Sequence, residues 1–215
     1  MKEKDSRKLF ERIVMFNDAV YAIALTLLVL ELKFPEDASL NSYEDFIRFL
    51  HEISPRLFAF LFSVVLVSGN WIAGLGLHKM IARAHGRTVI HTAIYLPVIS
   101  LMPFCSNVLG NYPDSPYSFV IFGIVQGFTT INNFFFLKHC RQHKLYYDDV
   151  DWDEIKNLER IIIPIFFIII VMTLIAFIST KLSFVLYLAL NSIPFFMSSR
   201  LNRKYKDDVK ENHPI

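Results

Sequence analysis

The sequence predicts an all-α membrane protein with six transmembrane helices in each chain. Hydrophobic residues make up 53% of the chain and the mean hydropathy is +0.39, which exceeds what a soluble domain of 215 residues normally buries. Six apolar segments reach or approach the roughly 20 residues that a helix needs to cross the hydrocarbon core. The polar connections between them are alternately rich and poor in Lys and Arg.

The six segments follow one another along the whole chain. We place the spans near 13–34, 56–80, 88–109, 116–138, 160–180 and 182–200. The fifth and sixth are joined by STKLS, which predicts a tight hairpin of two spans. Between the first two spans, apolar residues recur at helical spacing among charged ones and predict a short amphipathic helix at the membrane interface: Phe46, Ile47, Phe49, Leu50 and Ile53.

The placement of basic residues predicts the orientation in the cell membrane. Of the 22 Lys and Arg residues, eighteen fall on one side of the six-span arrangement, and the other four are Lys33, Arg48, Arg56 and Lys181. The positive-inside rule therefore predicts a multi-pass protein with cytoplasmic N and C termini. We divide the chain into a six-helix unit, 1–200, and a polar cytoplasmic tail, 201–215. A net charge of +2 without a basic stripe argues against nucleic-acid binding.

The first span, RIVMFNDAVYAIALTLLVLEL, holds Asn17 and Asp18 within an apolar segment. Ionisable groups are costly inside a bilayer, so Asp18 marks either a functional site or a polar contact that fixes one helix to another. Candidate partners are Asn70, Trp71, His78, Asn132 and Asn133 in the second and fourth spans. On the residues alone, a structural clasp is favoured over a direct role in transport.

A helical projection of the first span separates Asp18 from an almost wholly apolar face. That face comprises Arg12, Phe16, Ala19, Ile23, Thr26, Leu27 and Leu30. Periodicity indicates a shared face and does not by itself indicate a pore.

The motif of Arg12, Phe16, Asn17 and Asp18 resembles the RxxxFSD signature that opens the first helix of the transmembrane protein 175 family of potassium channels, with Trp71 and His78 as supporting positions. The resemblance is to the prokaryotic branch, which has six spans per chain, and Asn17 replaces the usual Ser. It implies an unconventional homotetrameric channel whose first helices line the pore. It further implies a constriction at Ile23, a hydroxyl layer at Thr26, and apolar pore positions at Leu27 and Leu30.

The resemblance also implies the activity. Potassium and other monovalent cations would pass without a cofactor. Because the prokaryotic members that the chain resembles are only weakly potassium-selective, the resemblance implies a weak preference for potassium over sodium. The chain has no TVGYG-like segment, so the carbonyl filter of conventional potassium channels is not expected. The expected gate is hydrophobic, and the expected partners are the lipid bilayer and three further copies of the chain. No Gly-rich nucleotide loop or nucleophile motif occurs, so the sequence does not predict an enzyme.

Two alternatives remain open at this level. Asp18 and His78 could relay protons in a proton-coupled secondary transporter. A magnesium-dependent membrane transferase could use the acidic cluster Asp148, Asp149, Asp151, Asp153 and Glu154, although negative charge also favours the start of the helix that follows it.

The remaining polar and special residues predict no site. The other histidines show no metal-ligand spacing and are interpreted as interface or loop residues: His51, His85, His91, His139, His143 and His213. Cys105 and Cys140 are expected to be reduced. Prolines inside spans predict kinks, and Gly123 with Gly127 predicts close helix packing.

Overall fold

The computed structural model describes residues 3–33 and 40–212, and it describes side chains for 4–33, 40–153 and 155–197. Over these residues the fold is almost entirely helical and has six segments long and apolar enough to cross a membrane, which confirms the predicted class. The helices are α1 (Glu3–Leu28), α2 (Tyr43–His78), α3 (Gly86–Ile99), α4 (Met102–Asn111), α5 (Pro116–Gln142), α6 (Trp152–Ile175) and α7 (Thr180–Asn212). A 3₁₀ turn, Val29–Glu31, extends α1.

The sequence predicted a separate amphipathic helix after the first span. In the structure this segment instead forms the first turns of α2. Ser42 caps this helix by accepting a hydrogen bond of 3.1 Å from the Asp45 amide. Pro55 does not break it, although proline lacks the N–H that would bond to the carbonyl of His51. The Ser54 hydroxyl donates to that carbonyl at 2.9 Å instead, so the helix continues into the membrane span.

The third span is two helices rather than one. Helix α3 ends at Ile99, and α4 begins at Met102 with a proline in its first turn. That proline is Pro103, which lies within the third predicted span, 88–109. Because proline is tolerated in a first helical turn, it starts α4 and separates it from α3.

The central core lies where α2, α4, α5 and α7 meet. Phe62 of α2 has its ring centroid 4.7 Å from that of Phe184 in a stacked arrangement and 5.2 Å from that of Phe122 in an edge arrangement. Leu66 and Tyr187 are also completely buried there. Aromatic packing of this density fixes α2 at the centre of the bundle.

Close packing of α5 with α6 and α7 depends on the absence of a side chain at Gly123. A Cβ atom there would collide with the hydroxyl of Thr173 and lie 3.1 Å from that of Tyr187. Gly127 faces Phe166 on the same side. The prediction that this glycine pair serves helix packing is confirmed.

A second core cluster closes the end of the bundle that carries the N-terminus. The loop after α2 and the loop after α5 are paired there by a β-bridge between Ile81 and Tyr146. The Ser6 hydroxyl donates to the Ala84 carbonyl at 2.6 Å, which ties the start of α1 to the same loop. The Tyr146 hydroxyl donates to the Leu137 carbonyl at 3.2 Å, and burial raises the pKa of Tyr146.

Candidate functional site

Helix α1 presents two different faces. Its buried face packs on the other helices through Ile13, Asn17, Tyr21, Ala24 and Leu28. Its opposite face is exposed in the single chain, and the Ile23 side chain is 56% accessible. All residues of the face predicted from the helical projection lie on this exposed side: Arg12, Phe16, Ala19, Ile23, Thr26, Leu27 and Leu30. Lipid or another chain must therefore cover a long apolar surface of α1.

Thr26 is the polar residue in the C-terminal part of this face, which runs from Ile23 to Leu30. Its hydroxyl donates to the Ile23 carbonyl of the preceding turn at 2.8 Å. A hydroxyl that donates its only proton keeps acceptor lone pairs on its oxygen. Thr26 therefore presents an oxygen acceptor within an otherwise apolar surface.

Asp18 points away from that face and is held by α2. The Trp71 indole N–H donates to its carboxylate oxygen over 2.9 Å. The other predicted partners on α2 do not contact it in this way. Asn70 donates to the Leu66 carbonyl of its own helix, and the His78 ring makes an edge contact with Phe10. The clasp between the first and second spans is therefore a bond between one carboxylate and one indole.

A polar cavity of about 40 Å³ lies behind α1, on the side away from the exposed face. By size it has room for roughly two or three waters. Asn17, only 5% exposed, lines it together with His78, whose Nδ1 is buried without a protein hydrogen-bond partner. Asn132 and Asn133 of α5 line it from the other side. These asparagines lie beside the cavity and not against Asp18.

The four residues of the first-helix motif therefore lie on two different sides of α1. Asp18 bonds to Trp71 and Asn17 lines the cavity, while Arg12 and Phe16 lie on the exposed face of α1. The described contacts do not bring Arg12 to Asp18.

A polar cluster at the far end of α1 was not anticipated. The Asn107 side chain of α4 donates to the carboxylate of Glu31. Arg56 of α2 donates to the Lys33 carbonyl at 2.9 Å and to the Asn111 side-chain oxygen at 3.2 Å. The only sequence signal was the pair of asparagines four residues apart in an apolar segment. These contacts fix the 3₁₀ turn that carries Leu30.

A second unanticipated polar contact crosses the core. The Gln126 side chain donates to the Asn191 side-chain oxygen at 2.6 Å, and Asn191 donates to the Tyr187 carbonyl at 2.9 Å. Both amide residues are buried within apolar spans. Such bonds join α5 to α7 where water cannot compete for them.

Two residues of the acidic cluster that suggested a magnesium site, Asp151 and Asp153, make contacts at the start of α6. Asp151 caps α6 by accepting a bond of 2.9 Å from the Asp153 amide. Asp153 in turn pairs with Lys156 at 3.1 Å. Within the described ranges, no group of three or more His, Cys, Asp or Glu is arranged to hold a metal ion.

The chain is similar to known proteins in the region that contains the first-helix motif. The family model described as endosomal/lysosomal potassium channel TMEM175 matches residues 12–103, a stretch that begins at the motif arginine and includes Trp71 and His78. Two curated potassium channels are similar, one from Chryseobacterium sp. (strain P1-3) and one from Chamaesiphon minutus (strain ATCC 27169 / PCC 6605). They are 30% and 28% identical over 116 residues, which is 53% and 54% of this chain. The matched region spans 57% of each of those proteins.

The fold has a solved counterpart. A crystal structure described as a lysosomal potassium-selective channel TMEM175 homologue from Chamaesiphon minutus superposes with a TM-score of 0.74 and 23% identity. The match covers 89% of this chain and 99% of that one. The resemblance predicted from the first helix is confirmed by the family match and by the shared fold.

Proposed function

We propose that this relative of the TMEM175 channels is a passive, potassium-favouring cation channel of the membrane. In the proposed assembly four copies surround one pore, and the α1 helices line it. Ile23 forms the constriction, with Thr26, Leu27 and Leu30 as further pore positions. The proteins that match in sequence and fold are described as potassium channels and not as enzymes, which supports transport over catalysis.

The observation that carries the proposal is the exposed apolar face of α1. The residues opposite this face pack on the remaining helices, so α1 is already anchored and still leaves Ile23, Leu27 and Leu30 uncovered. The family match begins at Arg12 on the same helix. A symmetric assembly that brings four such faces together would enclose a narrow, largely apolar passage.

The physical behaviour of such a passage follows from its chemistry. A ring of Ile23 side chains excludes water when narrow, and ions cannot cross a dry apolar constriction. Conduction therefore requires the ring to widen and become wet. The Thr26 oxygen, one turn further along α1, would offer permeant cations an acceptor next to the constriction.

Substitution at the constriction tests the proposal. We expect Ile23→Asn to hydrate the ring, raising potassium flux into proteoliposomes and lowering the preference for potassium over sodium. The matched control is Ile124→Asn on α5, because Ile124 is also exposed and lies outside the proposed pore. If Ile23→Asn and wild type have the same potassium flux and the same sodium flux, Ile23 does not line the pore.

The same vesicles separate a channel from a proton-coupled transporter. A channel passes potassium down its own gradient when the proton gradient has been dissipated. Flux that disappears under that condition would contradict the proposal and favour coupled transport through Asp18 and His78.

A further inference from the structure

The cavity behind α1 is lined by amide, hydroxyl and imidazole groups from four helices. These include Asn17 of α1, His78 of α2, His91 and Thr92 of α3, and Asn132 and Asn133 of α5. None of the described residues that line it is Asp, Glu, Lys or Arg. Because His78 is the last residue of α2, the cavity lies near the end of the bundle that carries the N-terminus. The site is therefore polar but has no permanent charge of either sign.

Asn17 is the buried group in this lining that most needs a hydrogen-bond partner. Its side chain is only 5% exposed, and its amide forms no hydrogen bond within the described part of the chain. Asn133 lies on the other side of the cavity, and its side chain likewise has no bond among the described residues. A side-chain amide has two donors and an acceptor oxygen, and burying it unpaired is costly. Both amides therefore require an occupant that donates and accepts.

Size and chemistry identify that occupant as water. A volume of about 40 Å³ admits roughly two or three waters and no ring-sized organic molecule. A cation would find no carboxylate in the lining and an anion no basic side chain, and the two histidines are fewer ligands than zinc takes from a protein. An apolar occupant would leave the amides unpaired. Water both donates and accepts, and a buried water typically makes about three hydrogen bonds to polar groups of this kind.

We propose that the cavity behind α1 is a water-binding site, and that Asn17 holds α1 to α5 through the bound waters. Asn132 and Asn133 supply donors and acceptors on the α5 side, and the Thr92 hydroxyl, which donates to the Thr88 carbonyl at 3.0 Å, keeps lone pairs that accept from water. Asn17 acts on the constriction only through α1 and is therefore a positioning residue. This consequence for conduction, unlike the water binding itself, rests on the proposed channel function.

The consequence follows from how water-mediated contacts respond to movement. A bridging water is nearly as favourable as a direct hydrogen bond, and waters can turn and exchange when the groups that they join move apart. Helix α1 can therefore shift relative to α5 without leaving Asn17 unpaired. A dry, close-packed contact resists such a shift. Because the constriction has to widen before ions pass, bound water behind α1 favours conduction.

Water binding is tested by solid-state nuclear magnetic resonance of the protein in lipid bilayers. With ¹⁵N-labelled asparagine, magnetisation should pass from water to the Asn17 side-chain amide, whose signal is identified by its loss in Asn17→Leu. Asn191 is the matched control, because it is equally buried at 4% exposure and bonds to Gln126 and to the Tyr187 carbonyl. Its amide should receive little. Transfer to Asn17 that is no greater than transfer to Asn191 would overturn the proposal.

Unfolding temperature separates a hydrated cavity from a dry one by its sign. Asn17→Leu keeps a similar side-chain volume and removes the bonds to water, so the unfolding temperature should fall by roughly 2–4 °C, as for a typical hydrogen bond in a chain of this size. In a dry cavity the same change removes an unpaired amide and raises it. Asn133→Leu replaces Asn17→Leu if the latter does not fold, and Asn41→Leu, at an exposed position, is the control. An unchanged or raised temperature in the cavity variant contradicts bound water.

Potassium flux into proteoliposomes tests the role in conduction. Asn17→Leu should lower the flux at least about fivefold, the lower end of usual coupling between sites. The preference for potassium over sodium should stay as in wild type, because no proposed pore residue is changed, and Asn41→Leu should conduct like wild type. Unchanged flux in Asn17→Leu would overturn the coupling to conduction while the channel function stands. If wild type does not conduct potassium, the channel proposal fails, and the resonance and unfolding measurements still decide the water site.

Discussion

At the scale of single residues, Asp18 shows how a half-buried carboxyl group in an apolar span acquires a role. A carboxylate in an apolar span is costly, so the sequence marked it as a site or a clasp. The indole of Trp71 supplies a donor at 2.9 Å on the side of α1 that faces α2. Asp18 thereby orients the helix, and the opposite face of the same helix remains available to ions in the proposed channel.

A variant without the indole N–H measures how much the bond between Trp71 and Asp18 contributes to stability. We expect Trp71→Phe to leave the Asp18 carboxyl group without its donor and to destabilise the fold by about 0.5–1.5 kcal/mol, the net contribution of a typical hydrogen bond. Thermal unfolding in detergent measures it. Trp152→Phe is the matched control because Trp152, the other tryptophan of the chain, is exposed. A loss of potassium preference with unchanged stability would show that Asp18 acts on the permeant ion.

At the scale of helices, α2 determines how the others are arranged. It begins with the amphipathic turns, passes Pro55 without a break and forms the centre of the aromatic core. Its contact with α7 depends on Gly69, where a Cβ atom would collide with the backbone carbonyl of Asn191. Backbone atoms cannot rotate away, so this approach requires glycine.

Two glycines of α2 allow a matched comparison. In an open helical position, Gly→Ala gains roughly 0.5–1 kcal/mol by restricting the unfolded chain. We expect that gain for Gly76→Ala, since nothing lies within 4 Å of a Cβ atom there. Gly69→Ala should instead destabilise by about 1–3 kcal/mol, the usual cost of overpacking. Equal shifts in unfolding temperature for the two variants would contradict the close contact of α2 with α7.

At the scale of the whole molecule, the single chain exposes an apolar face of α1 that lipid or another chain has to cover. Helices α6 and α1 each pack one side on the bundle and expose an apolar surface on the other. The proposed tetramer covers the α1 face with its symmetry copies. That arrangement places one and the same residue of all four chains around an axis.

Disulfide cross-linking tests which face lies at that axis. Oxidation of Leu27→Cys should produce a band of two 25.0-kDa chains, because cysteines near a symmetry axis can reach bonding distance. Cys105 and Cys140 are buried, so the introduced thiol dominates the reaction. Ile124→Cys on α5 is the control and should stay monomeric on the gel. Cross-linking of the control and not of Leu27→Cys would place α1 against lipid.

The sequence by itself determined the class, the number of spans and the two faces of α1, because bilayer thickness and helical periodicity act on local stretches of residues. It also placed Trp71 among five candidate partners of Asp18, of which the structure bonds Trp71 to the carboxylate. Only the tertiary structure decided that α2 is continuous, that Pro103 starts a new helix, and that Glu31 bonds to Asn107. The rings of His85 and His143 also contact each other, with centroids 5.8 Å apart, although the residues are 58 positions apart in the chain. Such contacts are set by how helices pack against one another, and spacing along the chain carries no record of them.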